Sequence, residues 1–346
     1  MNTEENKIIL YPYDYNNSVI LRYYDLFKYK GTFVPVSPKG TGLIGKDASI
    51  VDKGDKLNCI VKSFDDKNEF LDKENLCILL ESDYTCDVEQ DLSSSDFKCV
   101  VDCIEKDQEL PLEVIPEDDH QIFKFETPVI FVTGLNERTN KKFIQLELQR
   151  YFSKEYTVSL ILSSGKAELF GDHSYPQFMF SKDISEVAKI ILFNRYVKKI
   201  EQNEKPDIIV IGIPGSVFPY NFEVNNYFGI QPFLVSRAVQ ADGVICCLNF
   251  SNYTEKYFDE LKDSIKYFFG CDLVSYSINN IEYDVASSDT LAAEYVTVDS
   301  QIVRDTINTF CYNKVPIINI MDYSSICRIG EIVENYFSPK KNMEIF

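Results

Sequence analysis

The stretch PVIFVTGLNERTNKKFIQLELQRYF, residues 128–152, decides how the rest of the chain is read. Val129, Ile130, Phe131 and Val132 form a β-branched and aromatic run of the kind that fills a buried strand. The run ends in Thr133-Gly134. A polar loop follows, and then Phe143, Ile144, Leu146 and Leu148 recur at helical spacing. Strand, glycine, loop, lysine, helix is the layout of a phosphate-binding loop, in which backbone N–H groups at a helix N-terminus face an anion. The spacing departs from the standard G-x-x-x-x-G-K-[ST]. Counted from Gly134, the second glycine falls on Thr139, the lysine on Asn140 and the Ser/Thr on Lys141. A second glycine lets the backbone turn so that its N–H groups converge, and Thr139 hinders that turn. Three readings stay open: a drifted anion loop using the helix N-terminus with Lys141 or Lys142, a pseudo-site that keeps the fold without the ligand, and a polar strand end of no special meaning.

Outward from this loop the pattern is regular. Apolar runs at 128–133, 157–162, 207–213, 242–249, 272–278 and 315–320 read as strands. Helix-period segments lie between them. DISEVAKIILFNRYVKKIEQNE opens with Asp183 and Glu186 at capping-box spacing. TEKYFDELKDSIKYFFG puts Phe258, Leu261, Ile265 and Phe268 on one face and stops at Gly270. Strands alternating with long helices predict a mostly parallel sheet covered on both faces, a phosphate-loop-like α/β domain over 128–346. The front of the chain alternates on a smaller scale. KIILY (7–11), TFVPV (32–36) and LCILL (76–80) read as strands. Residues 16–30, ending at Gly31, and 97–108 read as helices. The expectation is a small Rossmann- or flavodoxin-like domain over 1–112. Residues 113–127 would be a linker, since the region around them holds three prolines and an acidic cluster.

Composition narrows the class. Of 346 residues, 54 are acidic and 35 basic, a net charge of −19. Such a chain repels nucleic acid and anionic membrane at long range, so basic or neutral partners such as a peptide or another protein fit better, although acidity that mainly serves solubility is the weightier reading. No segment approaches the ~20 apolar residues of a membrane helix, and the N-terminus carries no basic-then-apolar leader. The expected location is cytoplasmic. Ten cysteines lack zinc-site spacing, which predicts reduced thiols that pack as small hydrophobes, with no metal site.

Other candidates are weaker. KPDIIVIGIPGS ends a strand in Gly212, Gly215 and Ser216, at the sheet end where α/β ligands bind. Those residues suit either a ligand wall or a tight βα turn. His173, in ELFGDHSYPQFMF, has the chemistry of a general base or a substrate contact, but a lone histidine in a loop is more often a hydrogen-bonded structural residue. SPKGTGLIGKD holds Gly40, Gly42 and Gly45, but its G-x-G-x-x-G does not join a strand directly to a helix.

Taken together, PVIFVTGLNERTNKKFIQLEL, ELFGDHSYPQFMF and PDIIVIGIPGS, with YPYDYN and SPKGTGLIGKD near the start, resemble the clostridial peptide maturation system proteins. That family is associated with ribosomally made, modified natural-product or bacteriocin-like peptides. The resemblance spans nearly the whole chain, with several separated motifs in order. It implies an accessory role in maturing such a peptide and names no reaction. It also implies a glycine where Asn136 stands, a further departure of this loop. The leading expectation is a factor that binds ATP or GTP with magnesium, or another phosphate ligand, at the loop. Gly134 would allow close approach. Asn136, Arg138, Thr139 and Asn140 would line it, and Lys141 or Lys142 would supply charge. Gly212, Gly215 and Ser216 would form the opposite wall. The alternative is a non-catalytic scaffold that holds the precursor peptide or a modifying enzyme, its loop vestigial. Homo-oligomerisation stays open.

Overall fold

The computed structural model describes residues 6–70, 76–79, 98–101, 121–163, 167–219, 226–284 and 294–338. The chain divides into two compact units. The first comprises residues 1–108 with 165–172, and the second residues 109–164 with 173–346.

In the first unit, β1 (Lys7–Tyr11), β2 (Thr32–Ser37), β3 (Lys62–Ser63), β4 (Leu76–Leu79) and β5 (Lys98–Val101) form a parallel sheet in the order β3-β2-β1-β4-β5. That order is the one seen in dinucleotide-type α/β sheets. Two expectations are corrected here. Lys98–Val101 is a strand, since it extends the sheet beside β4 from Leu76↔Lys98 to Leu79↔Val101. Pairing at a sheet edge overrides a helical reading of KCVV. The rest of that segment, 102–108, lies outside the described residues. The helix expected over 16–30 is only α1 (Ser18–Arg22), after a 3₁₀ turn at Tyr15–Asn17. Asp14 caps that turn by accepting from the Asn17 N–H at 3.1 Å. Arg22 then turns inward to fork onto the fully buried Asp52, at 2.7 and 2.6 Å. The glycine loop at 40–47 is a turn: Gly40, Gly42 and Gly45 all take positive φ. Asp47 closes it by accepting from the N–H groups of Ser49 and Leu57.

The second unit is a seven-stranded parallel sheet. It contains β6 (Val129–Gly134), β7 (Val158–Leu162), β8 (His173–Ser174), β9 (Ile208–Ser216), β10 (Gly243–Leu248), β11 (Asp272–Ile278) and β14 (Ile317–Asn319). Their order is β14-β11-β10-β6-β9-β7-β8. A hairpin, β12 (Ile281–Tyr283) with β13 (Tyr295–Thr297), follows β11. Central strands β6 and β10 are buried along their whole length, as a sheet covered on both faces requires. The longer helices are α2 (Lys141–Phe152), α3 (Glu186–Glu204), α4 (Ile230–Ala238), α5 (Glu255–Phe269), α6 (Ser300–Thr309) and α7 (Arg328–Phe337). On one face Phe193, Val197, Leu234, Phe258 and Ile265 pack with Phe131, Ile211 and Tyr276. The α3 cap is Ser185, whose hydroxyl accepts from the Ala188 N–H, and not Asp183. Helix α5 stops at a left-handed Gly270, as its sequence predicts, and starts from Thr254, whose hydroxyl accepts from the Tyr257 N–H.

The arrangement is the mostly parallel, phosphate-loop-like α/β fold expected from the sequence. It has one consequence for function. The chain leaves β6 toward β7 but leaves β10 toward β11, on opposite sides. The carboxyl ends of β6 and β10 therefore flank a topological switch point, where open α/β sheets hold ligands.

Candidate functional site

The loop 135–140 stands at that switch point. Its geometry revises the count made from Gly134. Arg138 and Asn140 both have positive φ, 54° and 56°. Asn140 is the residue immediately before the helix and its lysine. The left-handed place that glycine fills in the standard loop is thus filled by Asn140, the side chain type that best tolerates it. Thr139 is not in that place. The lysine that follows directly is Lys141, and Lys142 occupies the position of the usual Ser/Thr. The loop is one residue longer than the standard spacing, in line with the lysine falling one place late in the sequence.

Gly134 is required by packing. A Cβ there would fall 2.3 Å from Thr139 Oγ1 and 2.7 Å from the Asn136 carbonyl oxygen. The opposite side is formed by β9, which bulges beside the loop. Val132 pairs with Gly212, but Gly134 pairs with Ser216. The extra residues carry Gly215, at φ 74°, against the loop. Lys141 Nζ donates to the Gly215 carbonyl at 2.5 Å. As a residue Lys141 keeps some exposed surface, but its ammonium is enclosed. Burial lowers its pKa from 10.5 to about 8, against weaker upward pulls from Cys247, Glu137 and Cys246. The Thr139 hydroxyl is also buried and has no hydrogen-bond partner among the described residues.

Two residues that the sequence reading passed over hold the loop in place. Asn249, just past β10, donates to the Glu137 carbonyl at 3.0 Å. Asn279, just past β11, donates to the Arg138 carbonyl at 2.7 Å and to Asn249 Oδ1 at 3.1 Å. A trans peptide points its C=O and N–H in opposite directions. With those carbonyls turned to the asparagines, the N–H groups of Arg138 and Thr139 point away from them. That is how a donor nest is built. The available signal was an asparagine directly after each of two neighbouring parallel strands, in CLNF and SINN.

The remaining candidates separate. Gly212 faces α2, where a Cβ would lie 2.0 Å from Gln145 Oε1. Gln145 in turn accepts from the Ser163 N–H and donates to its hydroxyl, both at 3.0 Å. Ser216 is buried beside Gly134. His173 is not part of the loop. It is level with Ile161, Ile211 and Phe131 across the sheet, three strand spacings or about 14 Å away. Its Nε2 lies 2.6 Å from Glu204 Oε1.

The donor set fits a phosphate better than a magnesium ion. Lys142 brings a cation where a hydroxyl would reach the metal. Among the described residues no cluster of three or more His, Cys, Asp or Glu side chains could hold one. The described cysteines are free thiols, of which Cys246 and Cys247 are buried and Cys311 is exposed. No helix of the described residues is long and apolar enough to cross a membrane.

No family model matches the chain, and no curated protein matches it. Among solved structures it is similar to a DUF1611 family protein from Anabaena variabilis, with a TM-score of 0.55 and 10% identity over 95% of this chain and 100% of that one. It is similar over 61% of its length to a GTPase from Pyrococcus abyssi in apo form, at TM-score 0.33 and 13% identity and covering 98% of that chain. It is likewise similar over 61% to the septum site-determining protein MinD with Mg-ADP from Pyrococcus horikoshii, at TM-score 0.33 and 11% identity and covering 97% of that chain. The first likeness is one of fold, and the other two are too partial to carry more.

Proposed function

We propose that the second unit holds the phosphate end of a nucleotide at the Gly134–Lys142 loop. Lys141 carries this reading. An enclosed ammonium at a helix N-terminus, bonded to one neutral carbonyl, is under-compensated. A phosphate oxygen would replace that carbonyl with a full negative charge and gain the helix N-terminus as well. The Thr139 hydroxyl and the N–H groups of Arg138 and Thr139 are the further donors. With Lys142 in place of a metal-directed hydroxyl, the reading is one of holding a nucleotide. The finer role, an accessory step in maturing a ribosomally made peptide, is supported by the sequence resemblance alone.

A second reading has one observation in its favour. Asn249 and Asn279 fix the loop with protein groups only, so a scaffold with a vestigial loop would also be ordered. Calorimetry with ATP and GTP, with and without magnesium, separates the two. Binding that survives without magnesium and vanishes in the Lys141→Ala/Lys142→Ala variant supports nucleotide holding. No heat with the wild type removes it and leaves the scaffold.

A further inference from the structure

Beside the loop lies a cleft of about 470 Å³, a volume within the range of small-ligand sites. It opens at the β6/β10 switch point, with Asn136 on one side and the segment 249–254 on the other. Four tyrosines line it. Tyr253 and Tyr257 stack with ring centroids 5.1 Å apart. Tyr283 and Tyr295 pair across the β12–β13 hairpin, their rings edge to face with centroids 5.9 Å apart. Glu282 is the one carboxylate among the lining residues, and no Lys, Arg or His is among them. A second cleft of about 330 Å³ shares Asn136 and Tyr257 with the first and adds Glu260, again with no basic residue in its lining.

We propose that this cleft binds a lysine or arginine side chain of a peptide laid along the two adjoining clefts. The ring faces of tyrosines attract a cation within about 6 Å of the centroid. The chain itself makes one such contact at this edge of the loop, where the Arg138 guanidinium sits 5.1 Å from the Tyr295 centroid. Glu282 and Glu260 add charge of the matching sign, within a chain of net charge −19. Two contiguous clefts suit an extended segment better than a lone cation. A basic side chain held there lies next to Asn136, and so next to any anion in the loop. The site itself does not require the loop to be filled.

The test is calorimetry at low salt, without nucleotide, using capped Gly-Lys-Gly, its arginine and norleucine counterparts, and methylguanidinium. The lysine and arginine peptides are expected to bind, and the norleucine peptide, which lacks the charge, at least tenfold more weakly. Tyr257→Leu should weaken binding about 2- to 30-fold, the span of exposed to desolvated cation–π contacts. Glu282→Gln should weaken it about 2- to 5-fold, as for an exposed ion pair. Both positions are exposed enough for the variants to keep the fold, which circular dichroism checks. Equal binding of the norleucine peptide, or no peptide binding at all, overturns the proposal. Methylguanidinium binding as tightly as the peptides overturns the peptide part. If Tyr257→Leu weakens ATP but not inorganic triphosphate, the cleft takes the nucleobase and the proposal also falls. Loss of phosphate binding in Lys141→Ala/Lys142→Ala with peptide binding intact shows the two sites failing independently.

Discussion

Raising the pH through the titration of Lys141 probes the loop at its charged centre. In the folded protein its ammonium loses its proton at about 8, against 10.5 for an ordinary lysine. A bound phosphate stabilises the charged form and draws the pKa back up, so binding above pH 8 takes up a proton. If the complex restores the ordinary value, linkage makes affinity at pH 9.5 about 20-fold weaker than at pH 7.5. A phosphate's second ionisation, near 6, is complete over that window, so the ligand's charge stays constant. Calorimetry of ATP, whose one terminal phosphate is ionised throughout that window, in buffers of different ionisation heat should find about 0.9 proton taken up at pH 9. Lys141→Arg keeps the charge without titrating and should flatten the profile. Equal wild-type affinity at pH 7.5 and 9.5 would refute the contact between Lys141 and the anion, and so would an unchanged slope in Lys141→Arg.

Three further outcomes follow from the packing around this loop and in the first unit. Gly212→Ala drives a methyl into Gln145, displaces its two bonds to Ser163, and should cost about 1–3 kcal/mol in urea unfolding. Asn140→Gly should leave stability within a few tenths of a kcal/mol, while Asn140→Val, forced to a left-handed φ, should cost about 1–2 kcal/mol. Asp52→Asn leaves the Arg22 guanidinium without its buried counter-charge and should cost about 3–5 kcal/mol, read as early loss of the first unit's protection in hydrogen exchange.

Much of the second unit was legible because its strands are buried on both faces and therefore read as unbroken apolar runs. Helix α5 was legible because its apolar residues recur at helical spacing and Gly270 marks its end chemically. What failed was local spacing in competition with distant partners. KCVV at 98–101 is a strand because β4 offers it a ladder, which no window of sequence contains. The sequence shows the lysine one place late, but that Asn140 takes the left-handed conformation glycine favours is revealed only by the backbone angles. Asn249 and Asn279 lie 112 and 141 residues from the carbonyls they hold. The sequence carried each asparagine but not its partner.

The last prediction bears on whether the loop is working or vestigial. Burial lowers the Lys141 pKa from 10.5 to about 8. Below pH 8 the lysine is charged in both folded and unfolded chains, so the folded state carries the whole burial penalty, about 3 kcal/mol. Between pH 8 and 10.5 the unfolded chain binds more protons, so stability rises with pH and the penalty disappears. Lys141→Met, similar in shape and uncharged, should therefore stabilise the ligand-free protein at pH 7 and do little near pH 10. The midpoint of urea unfolding at the two pH values measures this directly. A midpoint that falls at pH 7 would mean the ammonium is a net structural support, and the argument from burial would fail. A midpoint that rises would show one substitution relieving a cost that packing alone does not justify. That cost sits beside the left-handed Asn140 and the orphaned Thr139 hydroxyl. Strain and unsatisfied polarity that meet an enclosed cation in one loop are what a binding site retains, which favours the nucleotide-holding reading over the vestigial one.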